Sequence, residues 1–243
     1  LHAGGNTLNT LCALRVARIL STGAFVLEFA EQRSKCMLST SRADSQLNAI
    51  GCLPMAIPFV LLSATANEEK AVSAAVEFVK LTHPHPALEP LVSLYMRALH
   101  ATLNGACLKQ QAEMALKSPV LDTWDVCQHF IQCAERFPGS SEERLKVHQS
   151  AVESLGLACY TQGALSSLFY LAYNFHNDVT GGILTNTNCG GENCNRGAAL
   201  GALLGAQAVY LGSVVPQEWK DGLVEAQGRI TDILQELNRS TSV

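Results

Sequence analysis

The sequence has few charged side chains and no cluster of basic ones. Charged residues make up 16% of the 243 positions, the formal net charge is −4, and lysine and arginine are scattered along the chain. Nucleic-acid-binding proteins present a basic face to the phosphates, so we expect no nucleic-acid partner. Hydrophobic residues reach 48%, enough to bury a large core, and the length alone allows one large domain or two small ones.

The cysteine pattern lacks the signals of a disulfide framework or a zinc site. The chain has nine cysteines, an odd number, and no two of them form a Cys-x-x-Cys pair. Most lie among leucine and alanine in segments of helical character, as buried free thiols do in a reducing compartment. We therefore expect free thiols and a cytoplasmic location.

No segment alternates apolar and polar residues with the period of two that is typical of a half-buried strand. The apolar positions recur at helical spacing instead, and no linker or low-complexity segment divides the chain. Two apolar stretches, residues 50–66 and 197–215, do not supply the roughly 20 strongly apolar residues of a membrane span. The sequence predicts one compact all-α domain over residues 1–243 and no membrane partner.

Helix caps and prolines predict where the helices begin and end. Pro54 and Pro58 interrupt the apolar residues 46–64, so two short helices or a kinked one are expected there. Ser140 and Glu143 have the spacing of a capping box. The expected helices run approximately over residues 7–19, 24–38, 46–64, 68–80, 87–104, 108–117, 124–137, 141–154, 162–174, 179–184, 196–207, 217–222 and 223–237.

Residues 185–207 carry the most distinctive pattern of the chain, TNTNCGGENCNRGAALGALLGAQ. Residues 186–195 are expected to form a polar loop hinged at Gly190 and Gly191, at a helix N-terminus that suits an anion or another ligand. In the helix behind it glycine recurs every fourth residue, on one side. Each glycine costs about 1 kcal/mol against alanine, so the stripe predicts close approach of another backbone; the alternative is an ordinary buried helix. The stripe consists of Gly197, Gly201 and Gly205.

Two other patterns have a structural and a functional interpretation. The run Thr82-His83-Pro84-His85-Pro86 must be a loop, because a residue before proline is kept out of the helical region. His83 and His85 could bind a metal, but no third ligand lies at a suitable spacing, so a rigid turn is favoured. The aromatic residues of 162–174 could stack on an adenine base, but their helical spacing favours the core.

The string GGENCNRGAALGALLGA, residues 190–206, resembles the C-terminal signature of the ADP-ribosylglycohydrolase family. In that family two glycines precede Asp-x-Asp-Thr/Ser and a helix of small residues. Upstream, LTHPHPALEPLVSLYMRALHATLNGA (residues 81–106) resembles the family's histidine-proline loop and the helix that follows it. The string Gly-Gly-Glu-Asn-Cys-x-Arg-Gly-Ala is most similar to the branch that holds selenoprotein J and the J-crystallins of jellyfish lenses. The resemblance implies an all-α fold of the ADP-ribosylglycohydrolase type.

The resemblance places Glu192, Cys194 and Asn195 where the family has two aspartates and a hydroxyl residue that bind metal. Mg²⁺ and Mn²⁺ prefer oxygen donors, whereas Cys194 offers sulfur and Asn195 an uncharged amide. We therefore interpret these three residues as a vestigial metal or ligand site. The family's Thr-Asp-Asp run does not occur in the sequence, and we expect that the chain begins downstream of it. The adjoining ligand loop consists of Asn188, Gly190 and Gly191.

Three functions remain open on this basis. The favoured one is a structural eye-lens protein of the J-crystallin type, without catalytic residues or a bound cofactor and with little or no hydrolase activity. The second is an Mg²⁺-dependent hydrolase of ADP-ribosyl glycosidic bonds. The third is a thiol-active protein of the selenoprotein J type, in which a helix N-terminus and Arg196 would lower the pKa of Cys194 and Glu192 would oppose that effect. Self-association and a retained ADP-ribose-like ligand also stay open.

Overall fold

The chain is described by a computed structural model, and the part described is nearly all helical. Within it no strand forms, and one isolated antiparallel bridge joins Ala49 to Tyr160. The predicted all-α fold class is confirmed. The structure describes residues 48–62, 67–139, 141–212 and 215–222, together with Val16, Ala17, Asp232 and Gln235. The helices are α1 (Cys52–Leu62), α2 (Glu68–Thr82), α3 (Leu88–Leu103), α4 (Leu108–Lys117), α5 (Trp124–Ala134), α6 (Glu142–Leu155), α7 (Thr161–Asn174), α8 (Val179–Asn188), α9 (Asn193–Leu211) and α10 (Gln217–Asp221).

Several predicted helix boundaries are confirmed by the residues that cap them. Asn67 precedes α2, and its side chain accepts a hydrogen bond from the Glu69 backbone N–H at 2.8 Å. Asp178 caps α8 in the same way, accepting from the Gly181 N–H at 2.8 Å. Helix α4 has the predicted bounds. Three expected helices, over residues 7–19, 24–38 and 223–237, lie outside the described residues apart from the four isolated positions.

Of the two alternatives expected around the prolines, the two short helices do not form within residues 48–62. One helix, α1, begins at Cys52, so Pro54 lies in its first turn, where backbone N–H groups have no partner within the helix and proline is tolerated. Pro58 alone lies inside the helix.

The expected cap of α6 is also displaced by one residue: Ser141 is the N-cap, and its Oγ accepts from the Arg144 N–H at 3.2 Å.

Helix α7 is the centre of the core. It packs against α3, α4, α6, α8 and α9, and its aromatic and aliphatic side chains are fully buried except for Tyr173, which is partly buried. This confirms that the aromatic stretch belongs to the core. None of the helices in the described ranges has the length and apolar character needed to cross a membrane. The buried side chains of α7 include Leu165, Leu168, Phe169, Tyr170 and Leu171.

Two polar contacts hold α9 against its neighbours and so set the position of its N-terminus. The buried hydroxyl of Tyr95 in α3 donates to the Ala199 carbonyl at 2.8 Å. One helical turn before the end of α9, the Gln207 side-chain oxygen accepts from the Leu108 N–H at 2.6 Å, a donor in the first turn of α4. Both contacts satisfy groups that are buried away from water, which makes them costly to break.

Candidate functional site

The segment that carries the signature is shorter as a loop than the sequence predicts. Helix α8 continues to Asn188 and α9 begins at Asn193, so residues 189–192 alone connect them, and the expected polar loop over residues 186–195 is wrong. The end of α8 is rich in asparagine and threonine but its backbone stays helical. The polar side chains are satisfied there by bonds to carbonyls one turn back. Thr187 Oγ1 donates to Ile183 at 2.9 Å and Asn188 Nδ2 to Leu184 at 2.8 Å.

The turn between the helices depends on its two glycines. Gly190 has φ 70° and Gly191 has φ 64°, a left-handed conformation that other residues rarely adopt. At Gly191 a Cβ atom would lie 2.4 Å from the Leu157 carbonyl oxygen, whereas none of the described atoms lies within 4 Å of a Cβ at Gly190. The Leu157 carbonyl also accepts from the Glu192 N–H at 2.9 Å. The loop is therefore pressed against the segment that follows α6.

Arg196 is the buried centre of the site. Its side chain is fully inaccessible to solvent. Nε donates to Asn186 Oδ1 at 2.7 Å, and one terminal nitrogen donates to the Gly190 carbonyl at 2.8 Å. The Asn186 amide nitrogen in turn donates to the Asn193 carbonyl at 2.8 Å, so the arginine and the asparagine tie the end of α8 to the start of α9. Burial lowers the pKa of Arg196 from its usual value.

Glu192 and Asn195 bond to each other. Glu192 is the N-cap of α9, and its Oε1 accepts from the backbone N–H of Asn195 at 3.2 Å and from the Asn195 amide at 2.8 Å. A carboxylate at this place offsets the positive end of the helix dipole. The anion-binding capacity expected for this helix N-terminus is thus met by a side chain of the protein itself.

Cys194 lies in the first turn of α9 with an exposed side chain. Desolvation, followed by the nearby negative charge of Glu192, raises the pKa of the thiol. The expected lowering by Arg196 does not occur, because the guanidinium is turned into the network around Asn186. Desolvation, the largest effect, was not considered from the sequence, and the charge of Glu192 acts in the same direction.

The glycine stripe of α9 has a different explanation from the one predicted. A Cβ at Gly197 would lie 2.7 Å from the Asn186 side-chain nitrogen, and one at Gly201 would lie 3.5 Å from a methyl group of Ile183. At Gly205 none of the described atoms comes within 4 Å. The stripe therefore makes room for side chains of α8 and not for another backbone, and only its first position lacks space for a methyl group.

The histidine-proline segment is the predicted turn between α2 and α3. His83 is 4% exposed and its Nδ1 lies 3.0 Å from Thr82 Oγ1. His85 Nδ1 accepts from the Ala87 N–H at 3.3 Å. No group of three or more histidine, cysteine, aspartate or glutamate side chains in the described ranges is arranged to hold a metal ion.

Sequence reasoning did not single out Asn186, and it considered Arg196 as a charge beside Cys194 and not as the centre of a buried network. An arginine in a helix of alanine, glycine and leucine was the available signal, because a charge on an otherwise apolar face needs buried partners. The partner could not be identified, since Asn186 lies ten positions earlier in what was expected to be a loop.

The sequence profile of the ADP-ribosylglycohydrolase family matches residues 4–242. The chain belongs to this family. No individual curated protein matches it.

Proposed function

We propose that this member of the ADP-ribosylglycohydrolase family is a structural protein of the eye-lens crystallin type, with a degraded metal site and little or no hydrolase activity. The observation that carries the proposal is the engagement of Glu192 as the cap of α9. The one carboxylate left in the signature bonds to Asn195, which stands at another of the family's metal-binding positions by resemblance.

The donor set supports this proposal. Hard divalent cations are bound by several carboxylate, carbonyl and water oxygens. At the three matching positions the chain offers one carboxylate, one thiol and one amide. Sulfur is a soft donor that Mg²⁺ and Mn²⁺ disfavour, and the Asn195 amide carries no charge. These residues do not fit a pair of magnesium ions, so we derive no hydrolytic step through them.

The buried cysteines fit a long-lived structural protein. Burial raises the pKa of Cys52 and of Cys127 to about 12 and that of Cys189 to about 11. Oxidation and disulfide exchange proceed through the thiolate, so protonated and inaccessible thiols react slowly. A net charge of −4 with both signs dispersed also opposes aggregation at high concentration.

The first test is an assay of ADP-ribosyl bond hydrolysis with added Mg²⁺. We expect no turnover by the unmodified protein above the uncatalysed rate, with an active family member as the positive control. The double variant Cys194→Asp, Asn195→Thr, which restores two of the family's donors, serves as the matched comparison. Mg²⁺-dependent turnover by the unmodified protein would favour the hydrolase and overturn the proposal.

The structural role needs a test of its own. Light scattering of the purified protein at increasing concentration should show a monodisperse and transparent solution, and the protein should be abundant in a transparent tissue. Opalescence at moderate concentration, or expression confined to opaque tissues, would contradict a lens role even if hydrolysis is absent.

A further inference from the structure

A cleft of about 620 Å³ lies between α6 and α8, lined by residues of both helices and of the segments before them. This volume is within the usual range of small-molecule sites. Glu192, Cys194 and Asn195 do not line it, so it is separate from the vestigial metal site. The polar residues that line the cleft include Arg144, His148, Asn177, Asp178, Thr185 and Asn188.

His148 lies against the cleft with one nitrogen already bonded. The side chain is 1% exposed, and Nδ1 lies 2.9 Å from the hydroxyl of Tyr170. Burial raises the pKa of Tyr170, so the phenol keeps its proton. Because a phenol is a stronger donor than an imidazole N–H, we assign the Tyr170 hydroxyl as the donor to Nδ1. The imidazole proton is then on Nε2, a buried atom without a partner among the described residues.

Arg144 supplies a second unused donor and a positive charge beside this imidazole. Its Nε is buried and has no partner among the described residues, while a terminal nitrogen donates to the Phe137 carbonyl at 3.4 Å. Burial lowers the pKa of His148 to about 4, and the positive charge of Arg144 contributes to this lowering. Two unsatisfied donors on adjacent turns of α6 leave a site that an acceptor oxygen would complete.

The two acidic side chains that line the cleft already have partners within the protein. Glu142 forms an ion pair with Lys146 at 2.9 Å. Asp178 caps α8 through the Gly181 N–H. Both α6 and α8 begin at the cleft, but Ser141 with the acidic first turn of α6, and the Asp178 carboxylate at α8, offset their positive ends, so Arg144 is the source of the attraction for an anion.

We propose that this cleft binds the anionic group, a phosphate or a carboxylate, of a small hydroxylated metabolite. Arg144 and Nε2 of His148 donate to the anion. The wall formed by α8 and the segment before it, with Asn177, Thr185 and Asn188, faces the hydroxyl groups. The proposal does not depend on the proposed structural role, because it uses none of the three residues of the vestigial metal site.

Calorimetric titration of the full chain with glycerol 3-phosphate tests the proposal. We expect saturable binding, with no binding of glycerol, and orthophosphate and acetate titrated separately show whether phosphate or carboxylate is the preferred anion. Arg144→Gln should weaken glycerol 3-phosphate binding by at least about tenfold, as loss of a charged hydrogen bond does. Lys70→Gln removes the same charge from the exposed surface of α2, away from the lining of the cleft, and it should change the affinity less than about twofold.

A measurement on the unmodified protein guards against a variant that does not fold. Glycerol 3-phosphate should shift the NMR signal of the His148 ring, and Arg144→Lys should retain part of the affinity. Absence of saturable binding by glycerol 3-phosphate, orthophosphate and acetate, or of a shift at the His148 ring, overturns the proposal. Equal weakening by Arg144→Gln and Lys70→Gln does so as well, because it would show a nonspecific effect of charge.

Discussion

The signature turn and the cleft between α6 and α8 differ in how their polar groups are satisfied. In the turn, the Glu192 carboxylate accepts two hydrogen bonds from Asn195, and Arg196 bonds to Asn186 and Gly190. In the cleft, the Arg144 Nε and the His148 Nε2 have no partner among the described residues. The signature turn bonds most of its polar groups internally and leaves one buried nitrogen of Arg196, Nη1, without a partner among the described residues, whereas the unused donors of α6 belong to residues that line the cleft.

The difference shows why a motif and a site need separate arguments. The sequence signature marks the turn, because the turn needs two glycines in the left-handed conformation and a buried arginine. These are requirements of folding. Binding capacity depends on donors and acceptors that folding leaves unpaired. Among the described residues, buried donors without a partner occur in both helices, at Arg196 in α9 and at Arg144 and His148 in α6, and of these three residues the two in α6 line the cleft.

The largest effect is expected from breaking the signature turn at Gly191. Gly191→Ala should lower the free energy of unfolding by about 3 kcal/mol or more, because it combines a positive φ with a Cβ that would lie 2.4 Å from the Leu157 carbonyl. Gly190→Ala is the matched control and should cost only about 1 kcal/mol, since it adds strain without a clash. Urea denaturation of both variants measures the difference. Equal losses would mean that the turn is not pressed against residue 157.

Titration of His148 at the cleft should change the free energy of unfolding by a similar amount. His148 has a pKa of about 4 in the folded protein, lowered by burial and by Arg144, and about 6.5 when unfolded. Between these values the unfolded chain binds a proton that the folded chain does not. The free energy of unfolding should therefore fall as the pH falls from about 6.5 to 4, by up to about 3 kcal/mol.

The variant His148→Gln provides the comparison for this titration. It should lose less stability than the unmodified protein between the same two pH values, as measured by urea denaturation at each pH. Parallel curves for the two proteins would show that His148 titrates normally and would remove the support for a desolvated imidazole at the cleft.

A smaller effect distinguishes the two ends of the glycine stripe in α9. Gly205→Ala should stabilise the protein by about 0.5–1 kcal/mol, because alanine favours the helix and the described surroundings leave space for its methyl group. Gly197→Ala should destabilise it, since the methyl group would lie 2.7 Å from the Asn186 amide and displace a partner of Arg196. Thermal unfolding of the two variants decides the signs, and stabilisation by both would contradict the network around Arg196.

The smallest expected effect concerns the thiol of Cys194. Labelling by iodoacetamide across pH should be no faster at Cys194 than at Cys107, which is also exposed and also lies at a helix N-terminus. Peptide mass spectrometry of the labelled protein measures both rates. Selective labelling of Cys194 near neutral pH would support the thiol-active alternative and would contradict a raised pKa.

The predictions that succeeded depended on local chemistry, and those that failed depended on contacts between distant segments. Helices α2 and α8 begin at the predicted residues, 68 and 179, because the caps Asn67 and Asp178 involve only the next few residues. The loop was expected to begin at residue 186 because asparagine and threonine usually favour turns, but Asn186 is held in α8 by Arg196. The resemblance to the family identified Glu192, Cys194 and Asn195 together but did not predict that two of them bond to each other.

The sequence by itself determined the all-α fold class, the positions of most helix ends and membership of the ADP-ribosylglycohydrolase family. These follow from periodicity, capping and motif order, which are properties of neighbouring residues. Only the tertiary structure decided that Arg196 would be buried against α8, that Glu192 would cap α9, and that the imidazole of His148 would lie beside Arg144 in a cleft. Each of these depends on which surfaces meet when the helices pack, and that is not encoded in any single segment.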